Sequence, residues 1–276
     1  MSDLPGCERE IVSDGSARYY LPLTLESQGE HPGKTMPELP FGSRDGDRVY
    51  VIGDIHGRLD LLDRIVEEIR FDVERHPHRE GLAVTLGDYV DRGPDSRGVL
   101  DRLARNPFAM RYVALKGNHE ALFESFLNDP SVGAHWRRLG GLETVHSYGV
   151  SVAPLMIGQG FDAASDALRD RIPLAHMTFL SSLKLSISVG EHFLCHAGVR
   201  PGIPLEQQSA EDLLWIRDEF LNSKMNFGKI VVHGHTPVEW PEVLPNRINI
   251  DTGAFATGRL TCLVLEGGSS RFLSTK

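Results

Sequence analysis

The sequence predicts an α/β fold: two packed β-sheets in a sandwich, flanked by helices and carrying a helical insertion or cap. Three observations predict it. Early in the patterned region, three strand–turn–helix units follow one another, which implies parallel strands with crossover helices. Residues from about 121 to 182 then change to helical spacing broken by glycines. From Leu183 short apolar runs return at close intervals, as expected of a second, largely antiparallel or mixed sheet.

Residues 1–46 hold Pro5, Pro22, Pro32, Pro37 and Pro40 with little periodicity, so an extended or partly disordered N-terminal extension is expected there. RVYVI (48–52) is a short apolar run of the buried-strand type. Leu59, Leu62, Ile65, Val66 and Ile69 fall at helical spacing. GLAVTLGD (81–88) is a second strand, 96–104 a second helix, and RYVALKGN (111–118) a third strand. ALFESFLND, WRRLGGLETVHSYG and FDAASDALRD are the helical patterns of the insertion. The later strands are LKLSISV, EHFLCHAG, KIVVHGH, RINIDTG, GRLTCLVLEG and RFLST, all expected in the second sheet.

The totals exclude several classes. No apolar run is long enough to span a membrane. The first residues lack a basic start and an apolar core, so no secretory signal is expected. The 3 cysteines are scattered, without a Cys-x-x-Cys pair, which suits a reducing, cytoplasmic setting. The net charge of −9, with no lysine/arginine cluster, argues against nucleic acid and membrane partners. A phosphorylated substrate would need local cations to overcome that field, and bound metal ions are the obvious source.

The strands share one kind of ending. GDIHG supplies Asp54 and His56; GDYVDRG supplies Asp88, Asp91 and Arg92; GNHE supplies Asn118, His119 and Glu120. CHAG, HGH and DTG add His196, His233, His235 and Asp251. Taken singly, Asp54 reads as a helix cap, Asp88 as a turn residue, and His196 or His235 as a satisfied core histidine. The joint pattern argues otherwise, because carboxylate, imidazole and amide groups gather where open α/β sheets bind ligands. Such donors without thiolate suit Mn, Fe, Zn or similar divalent ions. Six candidate donors exceed one tetrahedral site and suit two ions.

In this order, GDxHG, GDxxDRG, GNHE, HAG and HGHT resemble the calcineurin-like metallophosphoesterases. More narrowly they resemble the phosphoprotein phosphatase branch, with LLWIRDEFL, GHTP and DTGA similar to bacterial, phage lambda-type and Rhizobiales-like members. The resemblance spans about 48–265 and implies a single catalytic domain over 47–276. It implies Asp54 and His56 on a first metal, Asp88 bridging both, and Asn118, His196 and His235 on the second. His119 would be the general acid oriented by Asp91, and Arg92 and Arg217 would grip the phosphate. Two divalent ions are expected, Mn foremost, with Fe, Zn, Ni or Mg as alternatives. A hydroxide bridging them would be the nucleophile.

The implied activity is phosphomonoester hydrolysis on a phosphorylated protein, serine/threonine first, or on a small phosphoester. Phosphotyrosine hydrolysis and bis(5'-nucleosyl)-tetraphosphate hydrolysis are alternatives on the same site. His56 argues against the symmetrical tetraphosphatases, which tend to read GDxQG. A phosphate-binding scaffold is the non-enzymatic alternative, opposed by the complete donor set. Segments 136–149 and 168–180 are expected to wall the site. Asp251 reads as support for a histidine, His233 as a partner behind the metal-binding residues or else an outer contact of the substrate, and oligomeric state stays open.

Overall fold

The computed structural model describes residues 47–276 and two short strands, β1 (Arg9–Ile11) and β2 (Ala17–Tyr19), paired antiparallel. By contacts the chain divides into two units, 1–35 and 36–276. The rest of the proline-containing extension expected over 1–46 lies outside the described residues.

Two five-stranded sheets follow. The first contains β3 (Asp47–Ile52), β4 (Glu80–Thr85), β5 (Arg111–Ala114), β11 (Thr261–Glu266) and β12 (Ser269–Ser274), in the order β12-β11-β3-β4-β5. The second contains β6 (Ser186–Val189), β7 (His192–Cys195), β8 (Ile230–His233), β9 (Glu242–Val243) and β10 (Arg247–Asn249), in the order β6-β7-β8-β10-β9. Both are mixed. The β3, β4 and β5 trio is parallel, as is the β7, β8 and β10 trio, with antiparallel strands outside. One expectation is corrected here. GRLTCLVLEG and RFLST do not extend the second sheet; they form β11 and β12 and close the first, with Cys262 opposite Ile52. Their alternation is equally compatible with either sheet, and the path of the chain after residue 250 decides between them.

Alternation along each strand builds the layers. Val49 and Val51 point inward with Leu82, Val84, Leu263 and Leu265, and meet Leu194, Val232 and Ile248 of the second sheet. Tyr50, Ile52, Ala83 and Val264 point outward, under Leu62, Ile65 and Ile69 of α1 (Leu59–Arg75) and under α2 (Ser96–Leu103). The region 118–182 joins this outer layer through α3 (Asn118–Asn128), α4 (Gly133–Arg138), α5 (Gly141–Ser147), α6 (Ala153–Met156), α7 (Phe161–Arg171) and α8 (Leu174–Ser182). On the other sheet, Phe193, Cys195 and Val231 pack beneath α9 (Ala210–Trp215) and α10 (Asp218–Leu221). A short helix, α11 (Ala254–Thr257), precedes β11. No helix among the described residues is long and apolar enough to cross a membrane.

Register places the chemistry. Ile52 pairs with Thr85, and Thr85 with Ala114, so the first parallel trio ends level. Leu194 pairs with Val232 and Asn249 with His233, so the second does too. The two sets of ends meet: His235 N–H donates to Asp54 Oδ2 (3.0 Å), and His196 Nε2 lies 2.9 Å from Asn118 Oδ1.

Leu194 is fully buried between the sheets, one residue before the end of β7. Leu194→Ala should cost about 2–5 kcal/mol through lost transfer energy and a cavity. Leu174→Ala, at a position 81% exposed, should change stability by less than about 0.5 kcal/mol. Urea unfolding midpoints of the two variants check this.

Candidate metal centre

The turn after each parallel strand is wired to the next. Ile55 and His56 N–H groups donate to Asp88 O, and Gly57 N–H to Tyr89 O. The buried Glu120 carboxylate collects the N–H groups of Asp88 (2.8 Å), Tyr89 (2.7 Å), Val90 (3.2 Å) and Gly117 (2.9 Å). It is therefore the anchor of the Asp88 turn. Glycines permit the close approaches. A Cβ at Gly117 would fall on Asp88 Oδ1, and one at Gly234 on Asp54 Oδ1.

The backbone here is strained. Six non-glycine residues have positive φ among the described residues, and five are His56 (46°), Asp88 (51°), Asp91 (71°), Arg92 (67°) and His235 (65°). Each such conformation costs on the order of 1–3 kcal/mol and persists only where the surroundings over-determine it. Five such residues gathered at one sheet edge mark a candidate site.

Two groups of side chains converge on shared points: His56, Asp88 and His119, and Asp88, His196 and His235, all buried. Asp88 belongs to both. Its Oδ2 lies 3.5 Å from His56 Nε2, and its Oδ1 3.4 Å from His196 Nε2. Asn118 Oδ1 is 2.9 Å from both His196 Nε2 and His235 Nδ1. His56 and His196 direct Nδ1 at the carbonyls of Val90 (2.9 Å) and Leu86 (3.0 Å). With Nδ1–H donating there, each Nε2 lone pair faces inward, as a metal ligand requires.

Asp54, expected beside His56, falls in neither group of three; His119 stands with His56 and Asp88 instead. Asp54 Oδ2 is engaged by the His235 N–H, while Oδ1 is buried without a partner, as is His235 Nε2. Asp251 supports no histidine: its carboxylate receives the Gly253 N–H (2.9 Å). His233 is fully buried on the face of Phe220 (5.0 Å, 80°), so it is not an outer contact for substrate.

The electrostatics describe a cation-shaped place. Burial, then the charges of Asp251 and Asp88, push the Asp54 carboxyl well above its ordinary range. Burial and Asp88 raise Asp251 to about 6. Burial lowers His56 to about 3 and also lowers His196 and His235, so these imidazoles are neutral and free to donate lone pairs. Burial opposes the Asp88 charge, yet its pKa lies below the carboxylate range, because at such acid pH the facing imidazoles of His196, His119 and His56 carry protons. Crowded carboxylates, neutral imidazoles and unpartnered buried atoms fit divalent cations, and Asp88 is the carboxylate common to both groups.

His119 behaves differently. Burial works against its charge, but Asp88 and Asp91 outweigh burial and raise its pKa. Its Nδ1 is 2.7 Å from Asp91 Oδ2. Trp136 Nε1–H donates to that same oxygen (2.8 Å), the Thr144 hydroxyl donates to Asp91 Oδ1 (2.6 Å), and the Asp91 N–H reaches Ser96 Oγ (3.0 Å). Trp136 and Thr144 were not recognised as site residues in the sequence. The paired glycines of LGGLET were the available signal, since Gly140 O accepts the Arg92 N–H (3.1 Å) and its φ is 101°. Segment 136–149 thus abuts the site. Segment 168–180 touches it only indirectly, through Phe179 on Tyr89 (5.7 Å).

Two guanidinium groups face the centre. Arg92 Nη1 lies 3.1 Å from His56 Nε2 and Nη2 3.0 Å from His119 Nε2. Arg217, just before α10, donates to Thr236 Oγ1 (3.2 Å). Burial and then Arg92 depress the Arg217 pKa, while the charges of Asp88, Asp251 and Asp54 pull the other way.

Residues 47–260 match the family described as calcineurin-like phosphoesterase. The chain belongs to that family. Curated relatives of this phosphoesterase include the serine/threonine-protein phosphatase 1 of Salmonella typhimurium, 29% identical over 77% of this chain and 89% of the relative. They also include the asymmetrical bis(5'-nucleosyl)-tetraphosphatase PrpE of Bacillus cereus, 30% identical over 77% of this chain and 88% of the relative. A solved cold-active protein tyrosine phosphatase covers 82% of this chain and 78% of its own, with a TM-score of 0.53 at 18% identity, and so shares the fold.

The raised carboxyls set a pH dependence. Below pH about 6 Asp251 holds a proton, and burial pushes Asp54 in the same direction, so an arriving cation must displace protons. Divalent-ion affinity should therefore fall as pH drops from 7 to 5, and binding at pH 6 should release protons. Titration calorimetry with Mn in buffers of different ionisation enthalpy measures that release; zero protons at pH 6 contradicts the assignment.

Proposed function

We propose that this phosphoesterase is a protein serine/threonine phosphatase that hydrolyses phosphomonoesters on a dinuclear divalent-metal centre. The observation that carries the proposal is the His119–Asp91 pair, 2.7 Å apart, standing beside an Asp88 carboxylate shared by two histidine groups. An acid paired with a carboxylate, next to a two-ion site, is what a phosphoester needs when its leaving alkoxide must be protonated.

His56, Asp88, Asn118, His196 and His235 would hold the ions, with Asp54 completing the set. Two bound divalent ions, Mn among the fitting choices, would supply Lewis acidity and an acidified water near neutral pH. Arg92 and Arg217 would hold the non-bridging phosphate oxygens, because planar guanidinium matches them bidentately. Phosphate also changes the proton inventory. Arg92 lies against His119 Nε2 (3.0 Å); a phosphate oxygen that draws the guanidinium away frees that nitrogen to carry a proton. Asp91, fixed by Trp136 and Thr144, keeps Nδ1–H engaged, so the proton for the leaving oxygen sits on Nε2. The raised His119 pKa keeps that acid form populated toward neutrality, and its loss above that pKa predicts falling turnover on the alkaline side.

Relatives support the substrate class: two serine/threonine-protein phosphatases of Salmonella typhimurium, at 29% and 25% identity, each align over 77% of the chain. The second reading is hydrolysis of bis(5'-nucleosyl) tetraphosphates, favoured by PrpE relatives at 28% and 30% identity over the same share. These are asymmetrical enzymes, so the His56 argument against symmetrical cleavage does not bear on them.

His119→Asn should lower turnover by about 10²–10⁴-fold while preserving the fold. The assay is phosphate release by Mn-loaded protein from a phosphothreonine peptide, a phosphotyrosine peptide and diadenosine tetraphosphate, with circular dichroism as the folding check. Preference for the phosphothreonine peptide supports the proposal; preference for the tetraphosphate replaces it with the second reading. No hydrolysis of any substrate by folded, metal-loaded protein would point to a phosphate-binding scaffold.

A further inference from the structure

The Arg92 guanidinium has three neighbours. Two are imidazole nitrogens, His56 Nε2 at 3.1 Å and His119 Nε2 at 3.0 Å. The third is the ring of Phe255, whose centroid lies 4.8 Å from Arg92 Cζ. The two nitrogens are the atoms that the proposed chemistry claims for other work: one lone pair goes to a metal, and the other nitrogen carries the acid proton. The aromatic face is the contact that survives both changes.

We propose that Phe255 is the positioning residue for Arg92, a cation–π platform that keeps the guanidinium aimed at phosphate once the imidazoles are engaged. The inference rests on Arg92 being a phosphate grip. The ring is well placed for the task. It also meets His56 edge to face, with centroids 5.4 Å apart at 85°, so it is fixed relative to the site as well as to Arg92. It is 36% exposed, so part of the ring is open to solvent.

The short helix α11 that carries Phe255 is tightly pinned. Gly253 precedes it with φ 63°, and its N–H is taken by Asp251 Oδ1 (2.9 Å). Arg58 Nη1 donates to Ala254 O (2.9 Å), and the Thr257 hydroxyl donates to Thr252 O (2.8 Å). Bonds at both ends of a single turn fix the direction of the ring between them. The DTGAF segment thereby acquires a role that neither a ligand nor a histidine support explains: it aims an aromatic face at the phosphate grip.

A cation–π contact of this kind supports an effect of about 3- to 30-fold. The experiment measures inorganic phosphate binding by calorimetry on Mn-loaded full-length protein, alongside KM and kcat for a phosphothreonine peptide. Phe255→Leu keeps apolar bulk and removes the π face. It should weaken phosphate affinity and raise KM by about 3- to 30-fold, with kcat changed less and Mn stoichiometry unchanged. Phe255→Tyr and Phe255→Trp, which restore a face, should recover the affinity. Arg92→Ala separates the two layers of inference. If Arg92→Ala weakens phosphate binding but Phe255→Leu does not, the Phe255 role is overturned and the Arg92 grip stands. If Arg92→Ala leaves phosphate binding unchanged, the grip itself falls and this inference with it.

Discussion

One buried carboxylate, Asp88, is shared by two sets of histidines, and most of the architecture serves that sharing. The charge sits in a dry environment with Asp54, Asp251 and Glu120 nearby, an arrangement that repels itself without cations. Left-handed backbone at His56, Asp88, Asp91, Arg92 and His235 keeps the groups convergent despite its cost. The two parallel trios supply the rigidity. Because both end level, the loops after them are short and wired to one another through Asp88 O, Glu120 and the His235 N–H. A packed apolar layer between the sheets holds the two halves of the donor set in register.

Within that frame, similar chemical groups are given opposite tasks by their surroundings. His56 and His196 are buried with Nδ1 on backbone carbonyls and stay neutral. His119 is equally buried, yet faces two carboxylates and gains basicity. The difference is the partner on Nδ1, a carbonyl in one case and Asp91 in the other. The helical region then bears directly on the chemistry. Trp136 and Thr144 tie up the remaining lone pairs of Asp91, which fixes the acid through a residue 28 positions from His119 in the chain. The insertion that lies furthest from the motifs in pattern is thus bonded to Asp91, the partner of His119.

Much of this was legible beforehand. Parallel strand ends loaded with Asp, His and Asn announce a site, because side chains at those positions share one edge whatever the loops do. The clustering of Asp88 with His56, His196 and His235 follows from that. Other features were not legible, for definite reasons. β11 and β12 carry an alternation that either sheet would accept, so their place in the first sheet depends on the chain path. Trp136 and Thr144 meet Asp91 across 45 and 53 residues, a separation no local pattern records. Asp54 stands outside the two groups of three: the His235 N–H engages its Oδ2, while its Oδ1 is buried without a partner, a detail of orientation that a motif does not record. Phe255 gave no signal because a single aromatic after DTGA is ordinary until Arg92 is found beneath it.

The central claim is that Asp88 joins two cation sites. Anomalous diffraction from crystals of Mn-loaded protein tests it most directly. The account predicts two peaks about 3.5–4 Å apart, one contacted by His56, the other by Asn118, His196 and His235, with Asp88 between them. A single ion, or two ions that do not share Asp88, would contradict it.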